Sequence, residues 1–314
     1  RAEKTAHDYE QANYKRRYLP PAEHSKLFGL EPTLAHLDHS LRDPTQAPFI
    51  SLEGLGGIGK TTLARAVAYR LAAQNHFAGI LWAQAKPQQM NDQGELKPVA
   101  NAAITSEGIL AQLAAQLGVT EFWGMTLADL QARLRAIWAN HPYLVVIDNL
   151  ETVEDATELL PILHSIAGQS RFLLTSRHTL RYYPFVYTFS VPELSLPDSL
   201  ALMRYEIHRK QSCPAPADAM LILIYEAIGG LPLAIRLVTA QIGRLPLATI
   251  LLDLRQARAQ MPGRMYTYIY QRAWRLLSDS AKHLLLSMLF VDPAGEEASW
   301  LGNMSAYSLD KVQQ

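Results

Sequence analysis

From Phe28 to about Tyr187, short apolar runs alternate with stretches whose apolar residues recur every three or four positions. Tyr143 to Ile147 and Phe172 to Leu174 are near-continuous, the pattern of parallel strands covered on both faces, and Phe49 to Leu52 and Ile80 to Ala83 read as further strands. Between them, Leu63, Val67 and Leu71 keep helical spacing, as do Ile109, Leu113 and Leu117, and then Leu127, Leu130, Leu134 and Ile137. Thr126 with Asp129 predicts an acidic version of a capping box at the start of the last of these helices. The Gln- and Asn-rich segment from Gln84 reads as a loop. Strands alternating with helices predict an α/β domain built on a parallel sheet.

Beyond Pro197 the strand signals stop. "LPDSLALMRYEI", "ADAMLILIYEAI" and "LPLAIRLVTAQI" read as three helices of a bundle, the second ending at Gly229 and Gly230. Pro262 and Gly263 mark a break before a last helical segment through "AWRLLSDSAKHLLLSMLF". The remainder to Gln314 is too short to close a further domain and reads as a truncated module. Residues 1–26 are polar, with "YKRRY" and then Pro20 and Pro21, and read as a linker whose basic triplet is solvated. The expected organisation is therefore a linker over 1–26, an α/β domain over 27–190, a helical domain over 191–262 and a partial module over 263–314.

Composition narrows the function classes. The 314 residues are 49% hydrophobic, with 29 basic and 29 acidic side chains, enough core for about two or three domains and no bulk electrostatic preference for nucleic acid or membrane. A single cysteine, Cys213, excludes an internal disulfide framework and fits a reducing, cytoplasmic setting. The longest apolar stretch, Ala219 to Ile228, is too short to span a bilayer and contains Glu226. No secretory signal is visible, and an opening on Arg1 rather than Met is expected of a piece cut from a longer protein.

The densest chemistry lies in "PFISLEGLGGIGKTTLARAVA", where four glycines fall within the six residues Gly54 to Gly59. Gly54, Gly59, Lys60 and Thr61 complete the phosphate-binding pattern G-x-x-x-x-G-K-S/T between a strand and a helix. Glycines permit the positive φ angles and close approach that let successive N–H groups curl around a phosphate, and the helix N-terminus adds partial positive charge. The expected cradle comprises Gly54, Gly56, Gly57, Ile58, Gly59, Lys60, Thr61 and Thr62. Lys60 would reach the β/γ-phosphates, and the Thr61 hydroxyl would ligate Mg²⁺, a hard cation that prefers oxygen.

Two further strand ends carry candidate groups. "YLVVIDNLE" ends in Asp148, where a carboxylate at the C-terminal edge of a parallel sheet can hold Mg²⁺ with Thr61. Glu151 either orients an attacking water or is the first-turn acid of the next helix. "RFLLTSRH" repeats the layout, and the Arg177 guanidinium there can contact a γ-phosphate bidentately or remain solvated. His178 reads as structural. No H-E-x-x-H, C-x-x-C or G-x-S-x-G signature occurs.

"GLGGIGKTT", "LVVIDNLE", "LLTSR" and, further on, "GGLPLAI" resemble, in order and spacing, the NB-ARC family of STAND nucleotide-binding switches. The G-L-P-L-A element is the discriminating one. The resemblance covers Phe28 onward and implies a P-loop NTPase sheet of order 2-3-4-1-5, a helical domain and a winged-helix domain, here cut short. That order places the Arg177 strand between the P-loop strand and the Asp148 strand. The resemblance also implies that Pro232 packs against the nucleotide base or sugar. "LFGLE" stands in place of the family's V-G-R-E, with Leu30 at the arginine position, so adenine recognition is expected from backbone groups near Phe28 and Gly29. Asn149 replaces the second acidic residue, which points to slow hydrolysis, and the histidine of M-H-D has no match.

The expected function is a switch in which ADP holds the modules closed and ATP permits opening and self-association, with sensor and effector domains outside this chain. Its ligands are ADP or ATP with Mg²⁺, and neither membrane nor nucleic acid is an expected partner. The alternative is a continuously cycling AAA+ or helicase-type motor. A motor is expected to carry a second-domain arginine aimed at the γ-phosphate, for which Arg236 is the nearby candidate. A small-molecule kinase has no sequence support for an acceptor site.

Overall fold

The computed structural model describes residues 17–21, 26–74, 76–85, 88–90, 96–98, 106–119, 125–150, 153–209, 216–242, 245–260 and 265–287. Helix α1 (Glu31–Arg42) leads into strand β1 (Phe49–Glu53) and helix α2 (Lys60–Ala72). Strand β2 (Gly79–Gln84) is followed by a hairpin of β3 (Gln88–Met90) and β4 (Leu96–Pro98), then by α3 (Ser106–Gln116) and α4 (Leu127–Asn140). Strand β5 (Tyr143–Asp148), helix α5 (Val153–Ile166), strand β6 (Arg171–Ser176) and strand β7 (Val186–Ser190) complete the α/β region.

Five strands form one sheet in the order β2-β5-β6-β1-β7, and every pair in it is parallel. Counted within the sheet alone this is 2-3-4-1-5, the order that the resemblance implied. β1, β5 and β6 are buried on both faces because helices cover both. On one face Phe49, Val145, Ile147, Phe172 and Leu174 pack with Ile109, Leu113, Leu134, Trp138 and Leu160 from α3, α4 and α5. Side chains alternate along a strand, so Ile50, Leu52, Val146 and Leu173 lie on the opposite face, where α2 packs against β1, β5 and β6. At the β2 edge, the Gln116 side chain accepts from the Trp82 N–H at 2.9 Å and donates to its carbonyl at 2.7 Å. That contact satisfies backbone groups an edge strand would otherwise expose.

The Thr126–Asp129 capping box is present: Thr126 Oγ1 accepts from the Asp129 N–H, and the Asp129 carboxylate accepts from the Thr126 N–H at 3.1 Å. The segment expected as a plain loop from Gln84 contains the antiparallel β3–β4 hairpin, pairing Gln88 with Pro98 and Met90 with Leu96.

The chain divides into two compact units, Arg1–Pro87 with Ala100–Pro192, and Gln88–Val99 with Glu193–Gln314. The second contains α6 (Leu196–Arg209), α7 (Asp218–Ile228), α8 (Pro232–Thr239), α9 (Leu247–Gln260), α10 (Met265–Arg275) and α11 (Asp279–Ser287). Helix α6 packs on α7 and α8, and α10 packs on α8 and α9. The last helical segment is two helices rather than one, because Ser278 Oγ accepts from the Ala281 N–H at 3.2 Å and caps a new start. No helix among the described residues is long and apolar enough to cross a membrane.

The turn from α7 to α8 explains the paired glycines. Glu193 Oε2 accepts from the Gly230 N–H at 2.8 Å, and the Leu194 N–H donates to the Gly230 carbonyl at 2.9 Å. A Cβ on Gly230 would lie 2.1 Å from the Leu194 carbonyl oxygen. Gly230→Ala is therefore expected to cost about 2 kcal/mol or more, as overpacking against backbone. Gly118, at φ +79° with open space around its Cβ position, provides the control. Gly118→Ala should cost only about 1 kcal/mol of backbone strain. Urea unfolding of the two variants checks the difference, and equal losses would show that the Gly230 turn shifts freely.

Candidate functional site

The sheet brings three polar strand ends to one edge. β1 ends at Glu53 and runs into the glycine loop, in which Gly54, Gly57 and Gly59 have φ of +146°, +80° and +103°. Gly59, in the left-handed region, is the N-cap of α2 and has no side chain to cap it. An L-residue there would be strained, so the loop closes onto the helix only because this position is glycine. Lys60 is buried, and its ammonium donates to the carbonyls of Gly54 at 2.7 Å and Leu55 at 3.2 Å.

Asp148, at the end of β5, is 2% exposed. Its Oδ1 accepts from Thr61 Oγ1 at 2.8 Å and from Thr175 Oγ1 at 2.6 Å, so α2 and β6 converge on one carboxylate. The Asn149 N–H donates to Thr175 Oγ1 at 2.8 Å, and the Leu150 N–H donates to the Thr175 carbonyl at 2.9 Å. Asn149 adopts φ +72°, a conformation that asparagine tolerates better than most residues. Burial pushes the Asp148 carboxyl above its ordinary value, and the Thr175 and Thr61 hydroxyls and the charges of Lys60 and Arg65 offset this in part.

Beyond β6 lies Arg177. A Cβ placed on Gly56 would stand 3.6 Å from the Arg177 guanidinium carbon, so the cation sits against the glycine loop. Glu53 Oε1 accepts from the Leu180 N–H at 2.6 Å and ties the segment after Arg177 back to β1. His178 is exposed, and its N–H donates to Ser176 Oγ at 3.0 Å.

The oxygen donors of Thr61 and Asp148 fit a hard divalent cation, and the loop with Lys60 and Arg177 fits a chain of phosphates. The structure brings Gly54, Gly56, Gly57, Ile58, Gly59, Lys60, Thr61, Thr62, Asp148 and Arg177 to this one edge. Phe28 and Gly29 precede α1, which is tied to α2 by Arg70–Glu31 at 2.6 Å and to the turn just after α2 by Gln74–Asp38 at 3.0 Å. Pro232 opens α8 in the second unit, and Glu151 lies outside the described residues.

Residues 26–175 match the AAA ATPase domain family. Disease resistance RPP8-like protein 3 of Arabidopsis thaliana is 25% identical over 225 residues, covering 70% of this chain and 23% of that protein. Disease resistance protein RPP8 of the same plant is 28% identical over 229 residues, covering 70% of this chain and 24% of that one. The chain thus spans about a quarter of the length of these relatives. A solved Signal Transduction ATPase with Numerous Domains (STAND) protein with a tetratricopeptide repeat sensor, from Pyrococcus horikoshii, shares the fold. It superposes at a TM-score of 0.54 and 15% identity over 94% of this chain and 40% of its own. These matches make the chain similar to the NB-ARC/STAND group of P-loop NTPases.

Two polar residues at this edge do not stand out in the sequence as site groups. Thr175 looks like an ordinary strand residue, since threonine favours strands on its own. Glu53 carries a signal, a carboxylate at the end of a mostly apolar strand, and the structure shows it to be a buried backbone acceptor.

Because the folded Asp148 carboxyl is raised above its unfolded value, the folded state binds the proton more tightly. Stability from this group is therefore lost as pH rises from near 3.8 through the raised value. In nucleotide-free protein, Asp148→Asn keeps an oxygen for both hydroxyls and should raise the unfolding midpoint at neutral pH. That gain should vanish below the ordinary carboxylate value near 3.8. Thermal unfolding across pH checks this, and a gain independent of pH would contradict the raised carboxyl.

Proposed function

We propose that the chain is the nucleotide-dependent switch of a STAND signalling protein, closed with ADP and opened by ATP. The observation that most supports this is the position of Arg177, just beyond the strand that lies between the P-loop strand and the Asp148 strand, and against Gly56 of the loop. A guanidinium there can distinguish a triphosphate from a diphosphate by contacting the group that only one of them carries. Lys60 opposes the β/γ-phosphates, and the N–H groups from Gly54 to Thr62 surround them. Thr61 and Asp148 hold Mg²⁺ directly or through water, and the cation neutralises phosphate charge. Phe28 and Gly29 offer backbone groups to the adenine, and Pro232 packs on base or sugar.

Hydrolysis is slow in this reading because Asn149 follows Asp148 where a second acid would serve as base. Glu151 remains the candidate for orienting water. The helices from Leu196 to Gln260 form a helical domain, and those from Met265 onward begin a winged-helix domain. A nucleotide shared by two domains stabilises their closed arrangement by its differential affinity, and a ratio of about 10⁴ carries the population from one side to the other. Opening exposes surfaces for self-association, and sensor and effector domains outside this chain supply signal and output. The resistance-protein relatives and the repeat-sensor neighbour support such a layout. The setting is cytoplasmic.

The motor alternative draws less support. Arg236, the candidate arginine in the second unit, has its Nε 3.3 Å from the carboxylate of buried Glu206 in that same unit.

Release of the nucleotide carried by purified protein and its identification by chromatography tests the reading. ADP with slow exchange is expected, whereas steady turnover of several ATP per second would establish the motor. Arg177→Ala should weaken ATP by about 10- to 100-fold, the loss of a charge-assisted hydrogen bond, and leave ADP unchanged. Lys60→Ala should abolish tight binding of both. Titration with fluorescent nucleotide analogues measures each effect, and equal ATP affinity in wild type and Arg177→Ala would remove Arg177 from the site.

A further inference from the structure

Thr175 joins the Asp148 carboxylate to the Asn149 turn, and its hydrogen bonds have a fixed direction. A threonine hydroxyl has one proton and two lone pairs. The Asn149 N–H can only donate, so Thr175 Oγ1 accepts from it at 2.8 Å. The single Thr175 proton is therefore directed to Asp148 Oδ1 at 2.6 Å. The Thr61 hydroxyl reaches the same oxygen at 2.8 Å, so Oδ1 receives both protons and Oδ2 receives neither. The Leu150 N–H on the Thr175 carbonyl, at 2.9 Å, closes the turn a second time. The turn needs this hold, because Asn149 is kept at φ +72°.

We infer that Thr175 is a positioning residue for the magnesium site, fixing the Asp148 carboxylate and the Asn149 turn so that Oδ2 remains for the cation or its water. This rests on the reading that Thr61 and Asp148 hold Mg²⁺. The β-branched side chain has few rotamers, so the hydroxyl is aimed before any ligand arrives. Valine has the same shape and branching without the hydroxyl, and serine has the hydroxyl without the branch.

The test compares wild type, Thr175→Val, Thr175→Ser and Asp148→Ala by binding of a fluorescent ATP analogue titrated with Mg²⁺, with ADP binding in EDTA as reference. Partners that orient a metal ligand typically contribute 10- to 100-fold in metal affinity, so Thr175→Val should raise the half-effective Mg²⁺ concentration by about tenfold or more. Thr175→Ser should stay close to wild type, and ADP binding in EDTA should be the same in wild type and both Thr175 variants. In magnesium-free protein, hydrogen exchange of the Asn149 amide should be faster in Thr175→Val and slow in Thr175→Ser. Were Thr175→Val not to fold, Thr175→Ala carries the same comparison. A Mg²⁺ response lost in Asp148→Ala but intact in the Thr175 variant lacking the hydroxyl overturns the inference alone. A response untouched by Asp148→Ala overturns the cation reading of the site and the inference with it.

Discussion

The polar edge of this protein is held in place by the parallel register of β1, β6 and β5. Leu52 of β1 is opposite Thr175 of β6, and Leu174 of β6 is opposite Ile147 of β5. Within two residues of these pairs, the glycine loop, the Arg177 segment and Asp148 emerge side by side. Side chains alternate along a strand, so a slip of one residue would turn Thr175 away from Asp148 and carry apolar residues to the wrong face. The apolar core prevents that slip. Phe49 and Phe172 are paired in register and stacked at 4.3 Å, and Trp138 packs edge-on to Phe172 at 5.6 Å. The rings at the N-terminal ends of the strands thus set where the polar groups stand at their C-terminal ends.

The same edge concentrates unfavourable features. A carboxylate that is 2% exposed, a lysine that is 8% exposed and positive φ angles at Gly54, Gly57, Gly59 and Asn149 lie within a few residues of one another. Burying a charge is costly unless hydrogen bonds and opposite charge compensate it. Two hydroxyls do so for Asp148, and two carbonyls do so for the Lys60 ammonium. The scaffold tolerates this because the core beneath is continuous across α3, α4, α5 and the sheet. Local rules yield where a site is built and hold everywhere else.

Four sheet strands and the helices around them are legible in the sequence because their periods are clean. The P-loop is legible because glycines followed by a lysine and a hydroxyl, set between a strand and a helix, suit a phosphate and little else. β7 is harder to read: "VYTFS" is short and half-exposed, with Tyr187 41% accessible. The β3–β4 hairpin hides in polar residues because its strands are only three residues each. Helix α9 lacks a capping signal in sequence and follows Pro246 closely, so it does not stand out from its neighbours. At the site, residue types convey the chemistry of Lys60, Asp148 and Arg177. They cannot convey the Thr175 network, since which hydroxyl reaches which carboxylate depends on strand order and register rather than composition. Asn149 reads in sequence as a missing acid. Its backbone conformation adds a second reason for asparagine at that position.

The end of β6 and the residue after it therefore carry two different parts of the site on one short stretch. Thr175 lies in the strand, and Arg177 lies in the bend that follows it. Thr175 is held by the Asp148 turn, and three residues beyond Arg177 the Leu180 N–H is held by Glu53. The guanidinium thus rides on a segment anchored at both ends, to β5 on one side and to β1 on the other. A segment so anchored has little freedom to relax alone. Displacement of Arg177 by a ligand must be absorbed either by rotation of its own side chain or by the hydrogen bonds that fix Asp148. Which of the two gives way is determined by the weaker restraint. Asp148 is buried with two hydroxyl donors, so its carboxylate resists that displacement.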